Sequence, residues 1–342
     1  MATISLCMIV KNEEAVLARC LDSLAELMDE IIIVDTGSTD QTKSIARIYT
    51  NQVYDFPWCG DFSAARNFSF EKAAMDYIYA PDADEVLDKE NQRRFALLKE
   101  ALLPEVEIVQ MWYLTPLEHN TVQNYSRELR PKLFKRLRRF TWIDPVHETV
   151  RTDPVVFDSD IEIQHLPQHN HSTRDFSIYE KHIQNKVPLS ARIITMYAKE
   201  LLKQADANDL KNALVFFETQ YEQTSSQEAA CVLARAYRLL GDSHHFMQIC
   251  LKDMASYPCA EICRELGYYY QDKQDYEEAA FWFYNAVFET EAVIDISAKG
   301  RDSLQNLSAC YLTMAEFSPK HRDEYMQLAR DYHMKAAELT TL

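Results

Sequence analysis

Tyr77-Ile78-Tyr79-Ala80-Pro81-Asp82-Ala83-Asp84-Glu85 is an apolar run that breaks at a proline and then presents two carboxylates, two residues apart. Residues i and i+2 of a strand point the same way. Asp82 and Asp84 are therefore expected to aim at one point just past a strand end. In a doubly wound α/β sheet, ligands bind off the carboxyl ends of the strands. Two convergent carboxylates there suit a hard divalent cation. Mg²⁺ takes one or two carboxylates and keeps its other positions for water and phosphate oxygens. An acidic turn without a ligand is the plainer alternative.

Other groups with chemical potential lie on either side. Asn12 and Glu13 follow a first apolar run, and Asn12 is placed to cap the helical pattern through Leu17, Cys20, Leu21 and Leu24. Asp35 ends a second run, and Asp61 and Arg66 follow a third. Arg127 to Arg139 carries seven Lys or Arg residues, the most basic stretch of an acidic chain. It reads as a solvated face or as a clamp for phosphate charge. Trp142-Ile143-Asp144-Pro145-Val146-His147-Glu148 sets a histidine and two carboxylates at a turn. His165 and His169 would pair on a metal only if helical, and Pro167 stands between them.

The elements that must position these residues alternate. Thr3–Val10 and Glu30–Asp35 read as buried strands, the second apolar on both faces as central parallel strands are. Helices are expected after each, then strands at 53–56, 77–79, 106–114 and 161–165. This alternation implies βαβ units and a parallel sheet. The 342 residues favour two domains. A net charge of −17 argues against nucleic-acid binding and against an anionic membrane surface. Eight cysteines without paired spacing read as reduced thiols of a cytoplasmic protein. No signal peptide and no membrane span is expected. With five glycines and neither a G-x-G-x-x-G nor a Walker loop, a Rossmann dehydrogenase or P-loop enzyme is disfavoured.

Past a bridge at 172–186, helical periodicity takes over. Leu233-Ala234-x-x-Tyr237 recurs 33 residues on as Leu266-Gly267-x-x-Tyr270, with Ala279, Phe283 and Ala286 behind it. Leu307-Ser308-x-x-Tyr311 is a degenerate third copy. This is the tetratricopeptide pattern of paired helices. The expected division is 1–175 for the α/β domain and 176–342 for the helical repeats.

The N-terminal half resembles a family 2 glycosyltransferase of the GT-A fold. The matching pieces are Ile4–Glu14 (ISLCMIVKNEE), Ile31–Asp40 (IIIVDTGSTD), Asp61–Asn67 (DFSAARN), Pro81–Glu85 (PDADE) and Trp142–Glu148 (WIDPVHE). With repeats attached, the chain resembles a bacterial subgroup that includes peptide S-glycosyltransferases. Its catalytic half is also similar to lipopolysaccharide-core glucosyltransferases. The resemblance implies a UDP-sugar donor. Asn12, Glu13 and Asp35 would hold the nucleoside, and Asp61 and Arg66 would complete the uracil and phosphate contacts. Asp82-Ala83-Asp84 would reach the diphosphate through Mn²⁺ or Mg²⁺, with His147 as third ligand or diphosphate contact. Inverting members of the family use a carboxylate base, for which Glu148 and Asp144 are the candidates; Glu148 could instead orient His147.

The leading expectation is a metal-dependent inverting transferase moving a hexose to a peptide or protein held by the repeats, which could also pair with a second copy of the chain. One alternative keeps the enzyme and makes the acceptor a lipopolysaccharide or lipid-linked glycan. Another is a non-catalytic scaffold with a degenerate GT-A half.

Overall fold

A computed structural model describes residues 1–114, 127–146, 149–150, 154–166 and 172–339. Two compact units divide at 193/194. The division falls later than residue 175, because helix α5 (Ser172–Gln184) groups with the α/β unit.

The first unit holds an eight-stranded sheet. Its opening half runs β1 (Ile4–Val10), α1 (Leu17–Leu24), β2 (Glu30–Asp35), α2 (Thr42–Tyr49), β3 (Val53–Asp55), α3 (Phe62–Lys72) and β4 (Tyr77–Tyr79). Then come β5 (Glu85–Val86), α4 (Lys89–Ala101), β6 (Ile108–Leu114), β7 (Arg127–Lys135) and β10 (Val156–His165). A separate small ribbon pairs β8 (Trp142–Ile143) with β9 (Thr149–Val150). The strand order is β3-β2-β1-β4-β7-β6-β10-β5. β1 to β4 are mutually parallel, and β6 pairs parallel with β10. β7 runs antiparallel between β4 and β6. This mostly parallel sheet is the expected GT-A arrangement.

Burial explains the local choices. Ile4, Leu6, Met8 and Val10 of β1, Ile33 of β2 and the Leu17/Cys20/Leu21/Leu24 stripe of α1 share one core with Tyr79 and Phe95. Residues at i, i+3, i+4 and i+7 form one helix face, so α1 can cover the sheet with that stripe. The Tyr79 and Phe95 rings meet edge to face at 5.2 Å. Because β1 and β2 are in parallel register, Val10 lies beside Asp35, and Asp35 beside Asp55. The loops after β1, β2, β3 and β4 therefore leave from one edge of the sheet.

The basic stretch divides: Arg136–Arg139 form a largely exposed turn, but the part from Arg127 to Lys135 is not a solvated face. It is β7, an interior strand whose Leu133 and Phe134 are fully buried. The pairing with β6 slips between Val109 and Gln110, opposite Leu133 and Pro131, so Lys132 sits in a bulge. Proline cannot donate to a ladder and is tolerated at such irregularities, which re-aim neighbouring side chains.

The second unit is all-α from the C-terminal part of α6 (Ala191–Gln204) onward. It continues through α7 (Ala207–Thr224), α8 (Gln227–Leu239), α9 (Ser243–Met254), α10 (Ala260–Asp272), α11 (Tyr276–Tyr284), α12 (Arg301–Phe317) and α13 (Arg322–Glu338). Consecutive helices pack on one another from α7 to α13. Ala234, Gly267 and Ser308 occupy equivalent places on α8, α10 and α12, and all are buried. A Cβ on Gly267 would fall 2.7 Å from the Phe283 ring. Gly267→Ala is thus expected to lower stability by about 1–3 kcal/mol through overpacking. Urea unfolding checks this; an unchanged midpoint would show that α10 and α11 separate freely.

Candidate active site

The turn between β4 and β5 carries the carboxylate pair. β4 ends at Tyr79, so Asp82 and Asp84 are turn residues and do not share a strand face. This corrects the expectation drawn from strand alternation. The turn is held by its backbone: Glu85 N–H donates to the Asp82 carbonyl at 3.2 Å, and Leu166 N–H to the Asp84 carbonyl at 3.1 Å. Ala83, between the two acids, is buried in the main core and anchors the turn from below.

The two carboxylates have different partners. Asp82 Oδ1 accepts from Arg66 at 2.6 Å. Asp84 Oδ2 lies 3.0 Å from His165 Nε2. Desolvation would raise the Asp82 pKa, but Arg66, Lys132 and Arg130 outweigh it and hold the carboxyl well below the usual carboxylate range. Glu85 is fully buried and pairs with Lys132. Burial dominates there and pushes its carboxyl up to about 7. Arg130 stacks over Tyr113 at 3.8 Å, and Lys132 lies 5.1 Å from the same ring. The bulged strand thus brings Arg130 and Lys132 to the acidic turn. Arg66 approaches from α3, with its guanidinium 4.9 Å above the Trp142 ring. Asn67, the next residue, bonds the Trp142 amide and carbonyl at 2.8 and 3.0 Å.

The loops after β1 and β2 are knitted together. Asn12 is not a helix cap, because α1 starts only at Leu17. It sits at φ 56°, a left-handed conformation that asparagine tolerates better than most residues. Its Oδ1 accepts from Thr39 N–H at 2.8 Å, and its N–H donates to Ser38 Oγ at 2.9 Å. Glu13 N–H donates to Thr42 Oγ1 at 2.7 Å. Asp35 Oδ1 accepts from the Gly37 and Ser38 amides at 3.0 and 2.9 Å. Asp35 Oδ2 is buried and makes no protein hydrogen bond. A buried acceptor in that state is costly unless something donates to it.

Asp61 caps α3, accepting from Ala64 N–H at 3.1 Å and Ser63 Oγ at 2.7 Å. Asp144, at φ 73°, has both oxygens engaged: Oδ1 accepts from Ser190 Oγ at 3.0 Å, and Oδ2 pairs with Arg192 at 2.7 Å. His147, Glu148 and His169 lie outside the described residues. Sequence reasoning weighed His165 only as a partner of His169. Its place beside Asp84 comes from the antiparallel pairing of β10 with β5, where His165 lies opposite Glu85. No local pattern announces a contact between strands 80 residues apart, as 165 minus 85 gives.

The donor set fits a divalent metal. Octahedral bonds of about 2.1 Å place neighbouring ligand atoms about 3.0 Å apart, the separation of Asp84 Oδ2 from His165 Nε2. Imidazole with carboxylate suits Mn²⁺ at least as well as Mg²⁺.

Residues 5–153 match the family model for glycosyl transferase family 2. A TPR repeat-containing protein of Synechococcus elongatus is 47% identical over 87 residues, covering 25% of this chain and 22% of that protein. An uncharacterized glycosyltransferase of Rickettsia prowazekii is 30% identical over 176 residues, covering 47% and 56%. The SPbeta prophage-derived glycosyltransferase SunS of Bacillus subtilis is 37% identical over 108 residues, covering 29% and 24%. The matched segments thus span between 22% and 56% of these relatives' lengths. The segment from the first strand onward, residues 5–153, thus carries the similarity to glycosyl transferase family 2, and the parallel strands ending in the acidic turn agree with it.

Proposed function

We propose that this protein binds a UDP-sugar and transfers its hexose, with inversion, to a peptide or protein acceptor that the helical unit helps to hold. The observation that carries the reading is the Asp84–His165 pair beside a fully ionised Asp82. It lies past the strand end, on the sheet edge that also carries Asp35.

Asp84 and His165 would hold Mn²⁺ or Mg²⁺, with Asp82 facing it and His147 as a further candidate. A bound divalent ion supplies Lewis-acid neutralisation of the diphosphate charge. The chain's own cations do related work. Arg66 fixes Asp82, and Arg130 and Lys132 add positive potential where the leaving UDP gains charge. Asn12, Glu13 and Asp35 are assigned to the nucleoside, and Asp61 to the uracil side of α3. Asp35 Oδ2 is an acceptor waiting for a donor, which a ribose hydroxyl provides. In the transfer step a carboxylate removes the acceptor's O–H or S–H proton. The freed atom attacks the anomeric carbon as the bond to UDP breaks. Asp144 is committed to Arg192 and Ser190, so Glu148 is the base proposed first.

The basic stretch bears on the acceptor. Away from the acidic turn, Arg127 and Arg138 pair with Glu162 and Glu107. Those pairs consume charge that anionic lipid or glycan phosphate would need, which supports a peptide or protein acceptor. Among the described residues no helix is long and apolar enough to cross a membrane.

Two measurements test this reading. UDP release from a panel of UDP-sugars, with and without Mn²⁺, is expected to show metal-dependent turnover of one sugar. Absence of both turnover and UDP binding across the whole panel sinks the proposal. Asp35→Asn keeps the acceptor for Gly37 and Ser38 but puts an amide in place of one carboxylate oxygen. Losing a hydrogen bond to a charged group costs about 1.5–3 kcal/mol. UDP affinity is therefore expected to fall by about 10–150-fold in calorimetry, with the melting temperature little changed.

A further inference from the structure

The helical unit contains a second cluster of metal-ligating groups that the transfer reaction does not use. Cys231 of α8 and Cys259, the N-cap of α10, bring their sulfurs to 3.6 Å. Both are buried, and Glu261 of α10 is buried with them. One ligand atom from each of these three residues lies within 4.8 Å of the others. Asp253, in the last turn of α9, is 5% exposed and lies against the Cys259 thiol. Its Oδ1 accepts from Gln227 Nε2 at 3.1 Å, and the carboxylate also faces the Cys259 thiol and amide. Glu261 is fixed from outside by the amides of Val293, Ile294 and Asp295 at 2.8–2.9 Å.

We propose that Cys231, Cys259 and Glu261 form a structural site for a thiophilic divalent cation of the Zn²⁺ class, with Asp253, which lies outside that 4.8 Å group, turning in as the fourth ligand and so joining α8, α9 and the start of α10. Zn–S bonds of about 2.3 Å at tetrahedral angles set two sulfurs about 3.8 Å apart, close to the observed separation. Two thiols exclude Mg²⁺ and Ca²⁺, which take oxygen ligands. The hydrogen bonds to both carboxylates are the outer support that metal-ligating groups usually have. On binding, the two thiol protons leave to solvent and the cation takes their place. The ligands come from three helices and follow no C-x-x-C spacing, so the sequence pattern does not reveal them.

The test is a Co²⁺ titration of the full, untagged, reduced and chelator-treated chain. One Co²⁺ per chain is expected, with thiolate-to-cobalt charge-transfer absorption that Zn²⁺ displaces. Gln227→Ala keeps all four ligands and is expected to weaken Co²⁺ binding by about 10–100-fold. Cys231→Ser should lose the charge-transfer band, whereas Cys263→Ser, a buried thiol outside the ligand set, should keep it. If Cys231→Ser does not fold, the wild-type titration and Gln227→Ala decide the matter. The proposal is overturned by a wild-type chain without the band, or by a band that survives in folded Cys231→Ser. Unweakened binding by Gln227→Ala, or a Cys231–Cys259 disulfide in the protein as isolated, would also overturn it.

Discussion

Asp84→Asn should reduce metal-dependent UDP release by about 10²–10³-fold, the scale on which removal of one charge-stabilising group acts in a transition state. The substitution preserves shape and the Leu166 N–H bond to the Asp84 carbonyl, so the turn is expected to stay in place. It removes the negative charge opposite His165 Nε2. On the proposed role, a divalent ion held there would lose one oxygen donor, while Asp82 remains tied to Arg66. The loss should appear at saturating UDP-sugar and recover in part as Mn²⁺ is raised, because metal affinity falls along with rate. Initial-rate kinetics across a Mn²⁺ series measures both. Wild-type turnover in Asp84→Asn would remove Asp84 from the reaction and leave His165 as a structural partner.

Arg66→Ala should damage fold and function together. The guanidinium side chain is 9% exposed and touches both Asp82 and the Trp142 ring. Breaking a fully buried pair costs about 3–5 kcal/mol. Here Asp82 is 38% exposed, so solvent screening reduces the figure to about 2 kcal/mol. For a unit of this size that is a fall of about 4–8 °C in Tm. The pH dependence has a definite sign. A carboxylate with a lowered folded-state pKa contributes stability that is present above its unfolded value and lost as pH falls. The gap between wild type and Arg66→Ala should therefore be full at neutral pH and begin to close as pH falls below about 4. Thermal melts at several pH values check this, and a pH-independent gap would mean that packing on Trp142 carries the whole effect. Arg66→Lys should rescue little, since an ammonium cannot both pair and stack as a planar guanidinium does.

Much of the first unit was legible because its signals are local. β1, β2 and α1 announce themselves by runs and stripes of apolar residues that are buried where expected. The acidic turn was visible from the proline and the paired carboxylates. What escaped depends on distant pairing. β7 read as a charge run because its cations hide the strand period, and only neighbours β4 and β6 make it interior. His165 reaches Asp84 through a strand pair with no sequence signature. Asn12 looked like a cap since it precedes a helical stripe, but its side chain serves the loop after β2. In the second unit the repeat was legible, because a close helix approach demands a small residue wherever it recurs.

The insertion of β7 between β4 and β6 also bears on how the chain reaches its native state. As synthesis proceeds from the N-terminus, β1 to β4 are available long before Arg127–Lys135. Until that segment arrives, β4 has one unsatisfied edge, and β6 has no route into the sheet. Open strand edges template pairing with other chains, and non-local strand pairing is slow. The nascent domain is therefore exposed to misassembly over a defined window of translation. The window narrows when a strand rich in arginine and lysine docks beside the acidic turn, which β10 then completes with His165 and Leu166. The residues that supply positive charge to the site are thus also the ones that seal the sheet.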